Sequence, residues 1–469
     1  MSNKSELVKK QLTKNTIMLS FSSLINRGLM FVMVPFFSRW LTVAEYGTYD
    51  VYSTYVTLLI PVITLASSNA VFRLSIDCDS LEKKAYYITN GLFISVVNLI
   101  VAILIITFIS IKIQWIYYFP FIVLLRAEIF DNYFQGYLRA IKKLNIYAIC
   151  KTATVIVTVI MVTLLVKKCN LGLYGILYGY ASGFVRSSLL IFFRTKYWKW
   201  FNINSLSFNG VKELISYSYP LIPNDISWWV INVSDRAIIN FILGDIANGV
   251  YAIACKLPNL CSSIFGVFNT SWQEASVDMV NNEEGKAFFN NIYNNMFVLL
   301  MSLCMCIISS NFIFFDYIFD AKYTTARLYT PILISSVIFS MLSQFFGGIQ
   351  ISLKQPKANG ITTIIGAIVN LSVHVLLIKR LGLFAAAIST LVSNICVAFL
   401  RKNKIKNYFS LKLNKINYIC IFAYLYIFSV SYLKIENLWF NIINLMISAG
   451  FALIFNKNIV VKIIKKLIV

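Results

Sequence analysis

About fourteen apolar stretches run through this sequence, each long enough to cross a bilayer, and that pattern constrains the fold more than any other feature. They lie at 16–38, 48–72, 86–110, 117–138, 145–166, 171–193, 214–241, 250–273, 287–309, 326–353, 358–378, 381–400, 416–433 and 437–455. A chain with so many spans expects lipid, not water, around much of its surface. Composition agrees. Hydrophobic residues make up 58% of 469 positions and charged residues 13%, with a mean hydropathy of +0.73. Soluble domains run near half and a quarter, so a soluble fold is excluded. The expected fold class is all-α integral membrane. The fourth stretch fits least well, because it carries Arg126, Glu128 and Asp131.

The charge is lopsided, with 42 Lys+Arg against 19 Asp+Glu, a net of +23. On a soluble protein this would suggest nucleic acid. Here the basic residues sit in short links between apolar runs, and no basic-aromatic nucleic-acid motif appears. Counting alternate links, one side of the membrane collects roughly 27 Lys+Arg and the other roughly 8. The rich side holds Lys4, Lys9, Lys10, Lys14, Lys142, Lys143, the 194–199 and 401–415 links, and Lys462, Lys465 and Lys466. Excess positive charge marks the cytoplasmic face, so both termini are expected there. The N-terminus lacks a small-residue cleavage site after a short apolar core, which predicts a retained first helix.

Nine cysteines form no CxxC pair, and Cys150, Cys255, Cys304 and Cys396 lie inside apolar runs as small hydrophobes. The single histidine, His374, argues against a His-based metal site or a His-dependent catalytic triad. No cofactor or metal is implied.

The longest link, 194–213, divides the first six spans from the next six. The segment Leu41 to Tyr49 aligns without gaps on Leu243 to Tyr251, sharing Gly47 with Gly249 and Tyr49 with Tyr251. In each half it follows the first helix and opens the second, which predicts an internal repeat. The expected organisation is an N-terminal six-helix lobe over 1–193, a cytoplasmic linker over 194–213, a second six-helix lobe over 214–400, and a basic loop with two peripheral helices over 401–469. Two pseudo-symmetric halves of the same orientation would be related by an axis along the membrane normal.

Three further patterns carry a resemblance: Arg39-Trp-Leu-x4-Tyr46-Gly47-x-Tyr49 after the first helix, Asn69-Ala-x2-Arg73 closing the second, and Asp235-Arg236-x6-Leu243-Gly244-x4-Gly249-x-Tyr251 opening the second half. With helix count and two-lobe order over about 400 residues, the chain resembles the O-antigen and polysaccharide-unit flippases of the multidrug/oligosaccharidyl-lipid/polysaccharide exporter superfamily. The resemblance implies alternating access and a cargo of undecaprenyl-pyrophosphate-linked sugar units moved from the cytoplasmic to the periplasmic face. For O-antigen or capsule synthesis, it implies a polysaccharide polymerase and a chain-length regulator as partners beside the lipid-linked glycan and the bilayer.

Charges inside apolar spans point to where such a cargo would bind, since each costs roughly 2.5–3.5 kcal/mol at the bilayer centre on insertion scales. In the first helix Thr16, Ser20, Ser23 and Arg27 form one stripe, with Arg27 roughly 16 Å from either end. A guanidinium that deep suits a cavity binding pyrophosphate or an acidic sugar; a buried ion pair is the plainer reading. Ser218, Asp225, Asn232 and Arg236 form a stripe on the seventh helix. The expected substrate-binding cations are Arg27, Arg126, Arg186 and Arg236. Asp225, Glu128 and Asp131 are the candidates for ion coupling, with pairing to a neighbouring Lys or Arg as the alternative. Arg139, Lys151 and Lys256 read as helix-end anchors, His374 as a satisfied polar residue, and Asp235 as structural. Gly175, Gly179 and Gly183 read as a close-packing face. An O-antigen polymerase, which is an enzyme, would need a large periplasmic loop, and here the longest such link is 310–325. A multidrug exporter would favour acidic rather than basic cavity residues.

Overall fold

The computed structural model describes residues 22–76, 78, 80–280, 285–353, 355–406, 408–433 and 437–457. Thr16 and Ser20, the lysines at 4, 9, 10 and 14, and those at 462, 465 and 466 lie outside the described residues. The described chain is helical, with no strand. Its helices are α1 (22–40), α2 (Val43–Ile63), α3 (Ser67–Ile76), α4 (Leu81–Ile113), α5 (Tyr118–Ala140), α6 (Leu144–Val162), α7 (Gly172–Arg194), α8 (Phe208–Ser218) and α9 (Ile222–Ala254). They continue as α10 (Lys256–Met279), α11 (Gly285–Ser309), the single turn α12 (Asn311–Ile313), α13 (Thr330–Ser352), α14 (Pro356–Leu381), α15 (Leu383–Ile405), α16 (Lys415–Tyr432) and α17 (Leu438–Phe455). Ten helices among the described residues are long and apolar enough to cross a membrane, and α2 with α3 makes an eleventh. The remaining expected stretches fall on α1, α5 and α10.

Helix ends follow local chemistry. The Thr42 hydroxyl accepts from the Glu45 N–H at 3.1 Å while the Glu45 carboxylate accepts from the Thr42 N–H at 2.9 Å, a reciprocal cap that starts α2. Pro61 lies in the last turn of α2, and Leu65 and Ala66 both sit at φ 51°, bending the path by 51° into α3. Two non-glycine residues in the left-handed region are costly and need the surrounding fold to hold them. In the aligned segment of the second half, α9 is kinked at Gly244 (φ 86°, ψ 176°). Both copies thus lie at helix junctions, with Gly47, Gly249, Tyr49 and Tyr251 all buried.

The chain divides into two compact units, Met1–Trp229 and Val230–Val469. The boundary falls inside α9, later than the 213/214 expected from the sequence, and the reason is polar. Asn90 on α4 donates to the Ser205 carbonyl at 2.9 Å and accepts from the Ser207 N–H at 3.0 Å. Tyr87 donates to Glu213 at 3.0 Å, and the Trp229 indole to the Thr54 carbonyl at 3.0 Å. These contacts hold the link, α8 and the start of α9 to the first unit.

Within the first unit, α5 packs on α3 and α7, and α7 on α6. Glycines make the contact of α7 with α6 possible: a Cβ on Gly179 would sit 2.9 Å from the Val162 Cα, and one on Gly183 2.9 Å from the Thr154 carbonyl oxygen. Because the obstacle at Gly179 is backbone, Gly179→Leu should cost about 1–3 kcal/mol. A thermal midpoint several degrees lower in detergent would show it; Gly450→Ala, which faces open space, should leave the midpoint unchanged.

Within the second unit, α13 packs on α10 and α15, α15 on α14, and α16 and α17 on α11. The Trp272 indole stacks on Phe345 at 4.2 Å and donates to its carbonyl at 3.0 Å, in space left by Gly348. Arg401, 3% exposed near the end of α15, donates to Thr362 at 3.1 Å, Thr363 at 2.9 Å, the Ser343 carbonyl at 2.9 Å and the Asn359 carbonyl at 3.4 Å. One guanidinium therefore ties α13, α14 and α15 together.

Candidate functional site

The site is built from three helices of the first unit. Ser22 on α1 donates to the Ala148 carbonyl of α6 at 3.3 Å and lies 3.2 Å from the Thr152 hydroxyl, which seats α1 on α6. Arg27, one turn after Ser23 on the same face, is thereby brought beside Arg139 of α5 and Lys151 of α6. The three cations line one cavity of about 460 Å³ with Ser22, Ser23, Asn26, Leu144 and Tyr147.

The charges in it are not equivalent. Lys151 lies 3.4 Å from the Asp131 carboxylate, which is 2% exposed and also accepts from Gln135 at 3.2 Å. The Arg139 guanidinium stacks over the Phe72 ring at 3.8 Å from its centroid. Neither Arg27 nor Arg139 has a carboxylate within 4.0 Å among the described residues. Three cations against one paired carboxylate leave the cavity positive. Two guanidiniums, each with a planar fork of N–H donors, suit a ligand rich in anionic oxygens.

The other sequence-derived candidates are dispersed. Asp131 sits behind Lys151, and Glu128 is half-buried one turn before it on α5. Arg126 and Arg186 are exposed and line none of the cavities described in this subsection. Asp225 lines a separate cavity of about 360 Å³ in the first unit, at the break between α2 and α3, beside Asn69, Asn132 and Trp228. Arg236 lines a small polar cavity of about 70 Å³ in the second unit, with Asp235, Tyr251, Thr390 and Asn394.

Arg139 and Lys151, read from the sequence as anchors near helix ends, are the cations that stand with Arg27. A signal was present: Arg139 shares a helical face with Glu128, Asn132 and Gln135, a polar stripe along the second half of α5. His374, read as a satisfied polar residue, is fully buried with its Nδ1 3.1 Å from the Asp235 carboxylate.

The profile of the polysaccharide biosynthesis protein family matches residues 12–272. No curated protein matches the chain in sequence. Among solved structures, the fold is similar to that of the lipid II flippase MurJ in an inward closed conformation, with a TM-score of 0.73 and 14% identity over 96% of this chain and 100% of that one. It is also similar to an inward-facing multidrug resistance MATE family transporter of the MOP superfamily, with a TM-score of 0.64 and 14% identity over 84% of this chain and 98% of that one. A eukaryotic MATE transporter follows, with a TM-score of 0.56 and 13% identity over 89% of this chain and 99% of that one. At these identities the likeness is one of fold.

Proposed function

Because this chain belongs to the polysaccharide biosynthesis protein family, we propose that it is a flippase, a transporter and not an enzyme, for lipid-linked glycans. Its cargo in this reading is an undecaprenyl-pyrophosphate-linked O-antigen or capsule repeat unit, carried from the cytoplasmic to the periplasmic face by alternating access. The positive cavity formed by Arg27, Arg139 and Lys151 carries the proposal. A diphosphate leaving water needs its charge met by charged donors, and this cavity supplies them while a prenyl tail stays in lipid. The fold shared with a lipid II flippase supports a lipid-linked cargo. An organic cation, the cargo a multidrug exporter would take, is repelled by the same three side chains.

The reading places the protein in the bacterial inner membrane with both termini cytoplasmic, upstream of a polymerase and a chain-length regulator. Arg126, Arg186 and Arg236 do not line the cavity and enter as secondary substrate contacts; Asp225, Glu128 and Asp131 enter as ion-coupling candidates. Deleting the gene in its host tests the proposal. The expected result is loss of surface polymer with complete single units held on lipid at the cytoplasmic face. Single units reaching the surface unpolymerised would mark a polymerase instead, and an unchanged surface would overturn both.

A further inference from the structure

The first unit holds a second polar cavity, one that a diphosphate has no use for. It lies where α2 breaks into α3, has a volume of about 360 Å³, and is walled by Thr57, Thr64, Asn69, Asn132, Asp225 and Trp228 among others. The break makes the room. Pro61 lies in the last turn of α2, and Leu65 and Ala66, both at φ 51°, turn the path by 51°. Backbone strain of this kind persists only where the surroundings hold it, and it collects at ligand sites. The Trp229 indole, bonded to the Thr54 carbonyl at 3.0 Å, pins the start of α9 to α2 and so sets Asp225 and Trp228 in the wall.

This lining differs in kind from that of the cationic cavity. Asp225 is its one charged residue among the described residues, and no lysine or arginine lies within 4.0 Å of that carboxylate among them. Asn132 accepts from the Ser68 hydroxyl at 2.8 Å through Oδ1; its amide N–H groups meet no partner among the described residues, nor does the Asn69 side chain. Thr57 and Thr64 donate to the Thr54 and Ile60 carbonyls, each at 2.8 Å, which leaves their oxygens as acceptors. Trp228, partly exposed, adds a broad apolar ring. Amide donors, carboxylate and hydroxyl acceptors and one flat apolar face complement a pyranose, whose rim hydroxyls both donate and accept and whose faces are C–H groups. A diphosphate would meet only repulsion here, from Asp225.

Position ties the two cavities together. Asn132 stands seven residues before Arg139 on α5, about 10 Å along the axis and on nearly the same face. Beside both runs α3, with Ser68 bonded to Asn132 and Phe72 under the Arg139 guanidinium. A lipid-linked glycan whose diphosphate is held by Arg27 and Arg139 can therefore lay its first sugars along α5 towards the break.

We propose that the cavity at the α2–α3 break is the saccharide subsite of the cargo, and that Asp225 makes it selective for uncharged sugars over acidic ones; the inference rests on the flippase reading above. Asn69 and Asn132 donate to the ring substituents, Asp225 accepts from hydroxyls, and Trp228 carries the apolar face. A uronic acid in the same place sets two carboxylates together with no cation in the lining to offset them. On this assignment Asp225 acts on the sugar and leaves the ion-coupling candidates.

Photolabelling of the full chain in lipid nanodiscs tests where the sugar lies. The probe is undecaprenyl diphosphate bearing a hexosamine with a diazirine on its N-acyl group, and it should label residues within 57–69 and 225–228. Unmodified lipid-linked saccharide in excess should compete, and Arg27→Ala should lower the label roughly tenfold by weakening the diphosphate end. Binding of two undecaprenyl diphosphate probes that differ only in their sugar, N-acetylglucosamine or glucuronic acid, reads the selectivity. The wild type should favour the uncharged sugar roughly tenfold, and Asp225→Asn should bring the two near parity, chiefly by tightening the acidic probe. Trp228→Ala should weaken both probes roughly tenfold, with Trp228→Phe keeping much of the binding.

A carboxylate with a merely structural role would leave that ratio where it was, and an unchanged ratio overturns the selectivity given to Asp225. Label that depends on Arg27 but falls outside both segments overturns the saccharide subsite and leaves the flippase reading standing. A probe that does not bind at all overturns the flippase reading, and the subsite with it.

Discussion

Replacing Arg27 with alanine should strip most surface polymer from a deletion host and leave single units accumulating on lipid. Removing one charge-assisted contact to a diphosphate costs about 1.5–3 kcal/mol, or about 10–100-fold in transport. Arg27→Lys should recover part of the loss, because it restores charge without the bidentate fork. Arg139→Ala should resemble Arg27→Ala, and the pair together should do less damage than the two losses multiplied, since both guanidiniums line one cavity. Membrane abundance of each variant, measured in the same cells, separates transport from folding. Normal polymer with Arg27→Ala at normal abundance would remove the cavity from the mechanism. Arg126→Ala and Arg186→Ala, exposed and outside its lining, should have smaller effects.

The second large effect falls on stability. Arg401→Ala removes four buried hydrogen bonds, to two hydroxyls and two carbonyls on α13 and α14, although Thr362 and Thr363 still donate to the Asn359 carbonyl. Losing four buried charge-assisted hydrogen bonds together with the packing of the guanidinium stem should cost about 3 kcal/mol. Thermal unfolding in detergent should show the largest drop among the single variants considered above, and Arg401→Lys should rescue little, since a single ammonium cannot reach all four acceptors. An unchanged midpoint would mean that water replaces the guanidinium at no cost.

The architecture was legible because length and apolarity alone decide where a chain crosses lipid, and each of the fourteen expected stretches meets a helix. The glycine face of α7 was legible for a similar reason, since regular helical spacing survives into the fold. What local sequence could not carry was set by tertiary contact. Nothing at Leu65 and Ala66 announces a helix break, because the residues are ordinary helix formers held in the left-handed region by their surroundings. The unit boundary was hidden in α9 because Asn90, Tyr87 and Thr54, far back in the chain, hold the link and Trp229 to the first unit.

The candidate site divides in the same way. Arg27 stood out through its depth in an apolar run. Arg139 and Lys151 did not, because position along a helix says how close a residue is to its end but not which neighbours surround it. The cavity needs α1, α5 and α6 folded against one another before three separate basic residues become one feature. His374 was isolated in sequence, and its partner belongs to a helix of quite different position in the chain.

The charges of α5 also set a problem for biosynthesis. Arg126, Glu128 and Asp131 keep Tyr118–Ala140 out of the group of helices apolar enough to cross a membrane by themselves. Released alone from the insertion machinery, that segment would partition poorly into lipid. Its counter-charge, Lys151, arrives only with the next helix. Insertion of α5 should therefore await α6, the two entering as a hairpin whose Lys151–Asp131 pair forms on the way in. A ribosome stalled just after Ala140 would hold a helix that is translated but not yet at home in the bilayer.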